Sequence, residues 1–196
     1  MEMLAMRWKL LVTAAAIAAG LGVTACRSAK PAPQPAAVGA SLPELRGEAL
    51  DGKEWQLPRD LAGKPAVLLV GYLMESQFDC DRWLLGLLQS ATPVQVLELP
   101  TIKGMIPGMF AGVIDSGMRS GIPSEDWCSV VTLYGDDAER MQAFTGGSVD
   151  RNARILLLDA EGRVCWQHDR GYSAGRMVEL DRAARALADG SGSPAR

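Results

Sequence analysis

Histidine is almost missing from this chain: His168 is the only one in 196 residues. That excludes metal centres built from several imidazoles. No two of the four cysteines stand in a CxxC spacing, so neither a dithiol redox pair nor a zinc knuckle is signalled. No block of basic residues occurs, and 20 Lys and Arg against 23 Asp and Glu leave a net charge of −3. Such a chain has no electrostatic footprint for nucleic acid. The apolar stretch from Leu10 to Val23 has 14 residues, short of the ~20 a membrane-crossing helix needs. Nothing calls for a cofactor or a metal.

What is present begins with a layout. Arg7 and Lys9 precede the apolar stretch, and the small residues Thr24 and Ala25 lead into Cys26. This is the organisation of a secretory signal. Val23-Thr24-Ala25-Cys26 resembles the lipobox of bacterial lipoproteins. The resemblance implies diacylglycerol on the Cys26 sulfur, cleavage before Cys26 and acylation of its new amino group. Several acyl chains, at ~0.8 kcal/mol per buried CH₂, make such an anchor effectively permanent. The expected organisation is a signal over 1–25, a Pro/Ala-rich tether over 26–40, one domain over 41–189 and a disordered tail over 190–196. Loss of 1–25 removes Glu2, Arg7 and Lys9 and leaves a charge of −4. A hydrophobic content of 48% suits a folded globule. Arg27 stands where enterobacterial lipoproteins retained in the inner membrane carry aspartate. By that resemblance a periplasm-facing position on the outer membrane is expected.

The domain reads as alternating units. Asp51-Gly52 between two short runs predicts a hairpin, because both residues tolerate positive φ. Ala66 to Val70 is a continuous apolar run, which predicts a strand buried on both faces. Ser76 and Asp79 are spaced as a capping box, ahead of a stripe of Cys80, Trp83, Leu84, Leu87 and Leu88. Val94 to Leu99 and Val130 to Tyr134 predict two further strands. Asp136 and Glu139 suggest a second capping box on a short helix reaching Phe144. Arg154 to Asp159 and Arg163 to His168 flank Ala160-Glu161-Gly162 as a final hairpin. Ser173 can cap a last helix carrying Met177, Leu180, Ala184 and Leu187. Alternation of β and α units implies a parallel centre, and the last hairpin adds an antiparallel edge.

This order resembles the thioredoxin-like fold: an α/β three-layer sandwich, with a mixed sheet, an N-terminal hairpin and a helical insertion. Leu61-Ala-Gly-Lys-Pro-Ala-Val-Leu-Leu-Val70 and Ile155-Leu-Leu-Leu-Asp-Ala-Glu-Gly-Arg-Val164 carry the resemblance. Enzymes of the fold place a CxxC dithiol at the start of the first long helix and a cis-proline opposite it. Here Gln77 and Cys80 hold the dithiol spacing, and Asn152-Ala153-Arg154 has no proline. Two readings of Cys80 stand. Its place on the apolar stripe makes it a small core hydrophobe, and Asp79 and Asp81 beside it disfavour thiolate. A helix N-terminus lowers a thiol pKa, which suits a single-cysteine peroxidase or thiol-disulfide reductase. Cys165 is expected in the core and Cys128 on the surface, with a Cys128–Cys80 or Cys128–Cys165 bridge open.

The stretch from Thr101 to Asp126 is the insertion. Ile106, Met109, Phe110, Val113, Ile114 and Met118 recur at helical spacing, while Gly108, Ala111, Gly112, Ser116 and Gly117 form a face of small residues. Two readings stand again: an amphipathic helix packed on its own sheet, or a surface where a partner backbone approaches closely. Leu97-Glu-Leu-Pro100, Asp115-Ser-Gly-Met-Arg-Ser-Gly-Ile-Pro123, Thr132-Leu-Tyr-Gly-Asp136 and Leu158-Asp-Ala-Glu-Gly-Arg-Val-Cys-Trp166 resemble the mitochondrial ATP-synthase assembly-factor family and its bacterial relatives. The resemblance implies a non-enzymatic assembly or chaperone-like role toward a membrane-protein client. Met109, Phe110, Gly112, Gly117, Met118, Arg119 and Gly121 are the candidate contact residues. Arg119 is expected to clamp a carboxylate of its own domain or of the client.

Overall fold

The computed structural model describes residues 38–104, 108–147 and 149–190, with residues 108–110 described by backbone alone. Seven strands form one mixed sheet: β1 (Leu45–Ala49), β2 (Glu54–Leu57), β3 (Ala66–Gly71), β4 (Gln95–Ile102), β5 (Val131–Tyr134), β6 (Arg154–Leu158) and β7 (Val164–His168). Their spatial order is β2-β1-β5-β4-β3-β6-β7. β3–β4 and β4–β5 are parallel; β3–β6, β6–β7, β1–β2 and β1–β5 are antiparallel. Among the described residues, four α-helices follow in chain order: α1 (Gln77–Gln89), α2 (Gly108–Gly121), α3 (Gly135–Phe144) and α4 (Ala174–Ala188). The expected parallel centre and antiparallel edge are both present.

β3 shows why an unbroken apolar run suits the middle of this sheet. Ala66, Leu68 and Val70 enter one core cluster, with α3 residues Ala138 and Met141. Val67 and Leu69 enter the other, with Trp83 and Leu87 of α1 and Met177, Leu180 and Ala184 of α4. β6 divides in the same way, with Leu156 and Leu158 on one side and Ile155 and Leu157 on the other. Three layers result: α3, the sheet, and the α1–α4 pair.

The first hairpin turns at Asp51-Gly52 as expected. Gly52 has φ +88°, and the Lys53 amide donates to Asp51 Oδ1 at 3.0 Å. The capping boxes do not form. Ser76 lies in a 3₁₀ turn (Met74–Ser76) with helical rather than extended backbone, so its hydroxyl cannot cap and instead donates to the Asp150 carbonyl at 3.3 Å. α3 starts one residue early, at Gly135, with Tyr134 as its uncapped N-terminal neighbour. Asp136 is therefore already inside the first turn. Ser173 has the extended backbone of a cap but makes no side-chain cap bond. The α1 stripe is rotated as well: Leu88 is 67% exposed. Gly86 explains the rotation. A Cβ there would meet Met177 Sδ at 2.9 Å, so closest approach to α4 falls at Gly86 and swings Leu88 outward.

Hydrogen bonding to the sheet starts before Ser41. The Gly39 amide donates to the Val164 carbonyl at 2.7 Å, and the Val164 amide to the Ala40 carbonyl at 2.9 Å. The end of the expected tether thus lies against the β7 edge. Cys26, the signal, most of the tether and residues 191–196 lie outside the described residues.

Gly47 in β1 is packed against β5. A Cβ there would meet Val131 Cγ1 at 2.6 Å and the Thr132 carbonyl at 2.9 Å. Gly47→Ala is expected to cost about 1–3 kcal/mol by overpacking, read as a lower midpoint in urea unfolding. An unchanged midpoint would contradict this packing.

Candidate functional site

The C-terminal ends of the parallel strands β3, β4 and β5 define one end of the sheet, and α1 begins there. Three loops meet at its first turn: 72–76, 149–153 and 169–173. A single carboxylate joins two of them to the helix. Asp79 Oδ2 accepts the Ala153 amide at 2.9 Å, and Asp79 Oδ1 accepts the Tyr172 amide at 2.7 Å. Asp79 is itself buried. Sequence reading placed it in a cap; the fold uses it as a staple. The bond also gives a physical meaning to the missing proline, because a proline at 153 would have no N–H to donate. Arg154 continues the arrangement, pairing with Asp150 at 3.0 Å and donating to the Asn152 carbonyl at 2.9 Å.

Cys80 follows Asp79 and points inward. It is 1% exposed, and burial pushes its thiol pKa far up, with the carboxylates of Glu98, Asp79 and Asp81 pushing the same way. A thiol in this state is poorly nucleophilic. Cys128 is exposed, as expected. Cys165 is half-buried rather than in the core, because β7 is the last strand of the sheet and its outer side is incompletely covered. All three are free, so neither candidate bridge forms among the described residues.

Glu98 escaped the sequence reading. It sits on β4, 8% exposed, and burial raises its pKa to about 7; Gln77 lowers it and Asp81 raises it. An acidic residue alternating with buried Leu97 and Leu99 was the available signal. Trp83 makes the centre of an aromatic group. Its ring lies 6.0 Å from Trp166, 5.6 Å from His168 and 5.4 Å from Tyr172. The His168 imidazole is held by Nε2 against the Gly171 carbonyl at 2.9 Å.

The insertion helix α2 forms as expected, but it is not packed like a core helix. None of its residues from Ala111 to Gly121 is buried. Val113, expected on the apolar stripe, is exposed, while Ile114 and Met118 are half-buried. The side chains of Met109 and Phe110 lie outside the description. Polar bonds hold α2 in place. Tyr134 Oη donates to Asp115 Oδ1 at 2.8 Å, and Arg119 Nε donates to the Leu50 carbonyl at 2.6 Å. The Arg119 guanidinium also lies 5.9 Å from the Trp127 ring centre. Within its own domain Arg119 therefore clamps no carboxylate among its hydrogen-bond partners. The group it grips is a backbone carbonyl left free where the β1–β2 turn begins. Gly112, Gly117 and Gly121 are exposed, and a Cβ at each would meet nothing within 4 Å. The small face of α2 is open.

No family model matches the chain, and no curated protein matches it. Solved structures do. A SCO1/SenC family lipoprotein from Bacillus anthracis is 16% identical with a TM-score of 0.53, covering 76% of this chain and 96% of that one. Yeast Sco1 with copper bound is 17% identical with a TM-score of 0.53, covering 80% and 92%. The exposed lipoprotein thioredoxin of Streptococcus pneumoniae is 13% identical with a TM-score of 0.50, covering 71% and 98%. Cys80 is buried with a raised pKa, His168 Nε2 already contacts a carbonyl, and no group of three His, Cys, Asp or Glu among the described residues is placed to hold a metal.

Two outcomes test this site. Asp79→Ala leaves two amides without acceptors, at ~1–3 kcal/mol for each buried one. A loss of about 2–4 kcal/mol is expected, with faster hydrogen exchange at Ala153 and Tyr172; a loss under about 0.5 kcal/mol would refute the staple. For Glu98 the folded pKa lies above its ordinary 4.5. Its stabilisation is full below that value and is lost as pH rises through about 7. Wild type is expected to lose up to about 3 kcal/mol between pH 5 and pH 8 through this group, and Glu98→Gln to remove that slope in denaturant titrations. The architecture common to this chain and the three solved structures is the thioredoxin-like fold.

Proposed function

We propose that this chain is a lipid-anchored, non-redox thioredoxin-like protein of the bacterial cell envelope that binds a membrane-protein client during assembly of a complex. Lipid attachment at Cys26 and a periplasm-facing position on the outer membrane belong to the same reading. One observation carries it: the carboxylate of Asp79 holds the Ala153 and Tyr172 amides where enzymes of the fold keep a dithiol opposite a cis-proline. The arrangement closes the helix mouth over the one thiol that stands there. The open face of α2, with Gly112, Gly117 and Gly121 and the half-buried Met118 and Arg119 beside them, supports docking in place of chemistry.

The purified full-length chain is expected to consume no peroxide and to reduce no insulin disulfide, at rates equal to those of Cys80→Ala. Peroxide consumption abolished by Cys80→Ala would replace this reading with a single-cysteine peroxidase. A photo-crosslinking side chain at position 112 or 119, in intact cells, is expected to capture a membrane protein. Capture of nothing at either position would count against the client.

A further inference from the structure

α3 packs on β1, β4 and β5. Beyond it, where β6 begins and β7 ends, a cavity of about 300 Å³ opens at the margin of the sheet. Leu156 belongs to the core cluster of the α3 side. Arg154, two residues before it, and Gln167, its partner in β7, therefore face the same way. α1 and Cys80 lie on the other side, with Ile155 and Leu157.

The walls carry an excess of one charge. Arg154 of β6, Arg170 of the loop after β7 and Arg176 in the first turn of α4 line the cavity, and Asp169 is the one acidic residue that lines it with them. Arg154 is 3% exposed and is held by Asp150 and the Asn152 carbonyl, so one guanidinium is fixed in place before anything binds. Asp150 and Glu179, which pair with Arg154 and Arg176, do not line the cavity. Arg170 has no ion pair or hydrogen bond among the described residues. Like charges gathered around one cavity repel, and an anion relieves the repulsion. The rest of the chain supplies no such anion from its side chains, Glu2 excepted: residues 1–37, 105–107, 148 and 191–196 contain no other Asp or Glu.

The arrangement also selects the kind of anion. A carboxylate offers two coplanar oxygens, which one guanidinium fork satisfies. A phosphate offers oxygens in tetrahedral directions, which suits guanidinium groups arriving from three separate elements. Gln167, whose side-chain amide has no partner among the described residues, adds a neutral donor. The volume is at the small end of ligand pockets, enough for a compact anion.

We propose that this cavity binds a phosphate group, of a small free anion or of a lipid headgroup, through Arg154, Arg170 and Arg176. The site is separate from the open face of α2, and it stands whether or not a client binds there.

The test uses the full-length ¹⁵N-labelled chain at constant ionic strength, balanced with sodium chloride, and three probes: inorganic phosphate, succinate and phosphatidylglycerol vesicles. Phosphate is expected to shift the Nε–Hε signals of Arg154, Arg170 and Arg176 and the amides of residues 167–170 saturably. Arg170→Gln with Arg176→Gln is expected to weaken binding at least tenfold while leaving the thermal midpoint unchanged, because both side chains are exposed and a surface pair such as Arg176–Glu179 contributes little. Vesicles that shift the same signals and compete with phosphate identify a headgroup as the source; phosphate shifts with no vesicle response identify a free anion. Absence of a phosphate shift, a linear shift without saturation, or a shift that survives the double substitution would overturn the site. Succinate binding as tightly as phosphate would overturn the assignment to phosphate in favour of a carboxylate ligand.

Discussion

The buried carboxylate of Asp79 is the constraint on which this end of the domain depends. It leaves the helix that carries it and reaches two loops from distant parts of the chain, meeting each through a backbone amide. Removing one partner of a buried hydrogen bond costs more than forming it contributes, so the three elements are committed to one another. Cys80 is confined as a consequence. With its neighbour drawn across the helix mouth, the thiol lies under the loops, beside Glu98 and away from water. Geometry and electrostatics agree: both oppose a thiolate.

The sheet and the insertion helix show two ways of attaching an element. β3 and β6 are held by apolar side chains on both faces, and nothing about them depends on a single bond. α2 has no buried residue among those whose side chains are described, and is held by an aspartate on a tyrosine and an arginine on a carbonyl. Such an attachment is discrete. The Asp115 bond holds the middle of the helix and the Arg119 bond its last turn, and both lie outside the core.

Much of the fold could be read from periodicity, because burial on both faces writes itself into the sequence as unbroken apolar runs. Ala66 to Val70 and Ile155 to Leu158 were legible for that reason. The hairpin at Asp51-Gly52 was legible from turn chemistry. The capping residues were not, because the same side chains serve two purposes. Ser76 and Asp79 fit a cap by spacing, yet tertiary partners at Asp150, Ala153 and Tyr172 claim them, and no local pattern reveals partners more than 70 residues away. Leu88 was misjudged because the helix faces its neighbour at a glycine, which contributes no hydrophobicity to any stripe. Arg119 was recognised as a clamp, but a free carbonyl at Leu50 has no sequence signature.

Gly39 and Ala40 give the domain a fixed bearing. Their paired bonds to Val164, with the Leu42 amide donating to Gly162 at 2.9 Å, join the incoming chain along the margin of the sheet. Any load arriving through Val38 is shared among several bonds lying side by side before it reaches a core residue. Attachment in this manner fixes where the incoming chain meets the domain: Val38 enters beside the start of β7, at the end of the sheet opposite the mouth of α1.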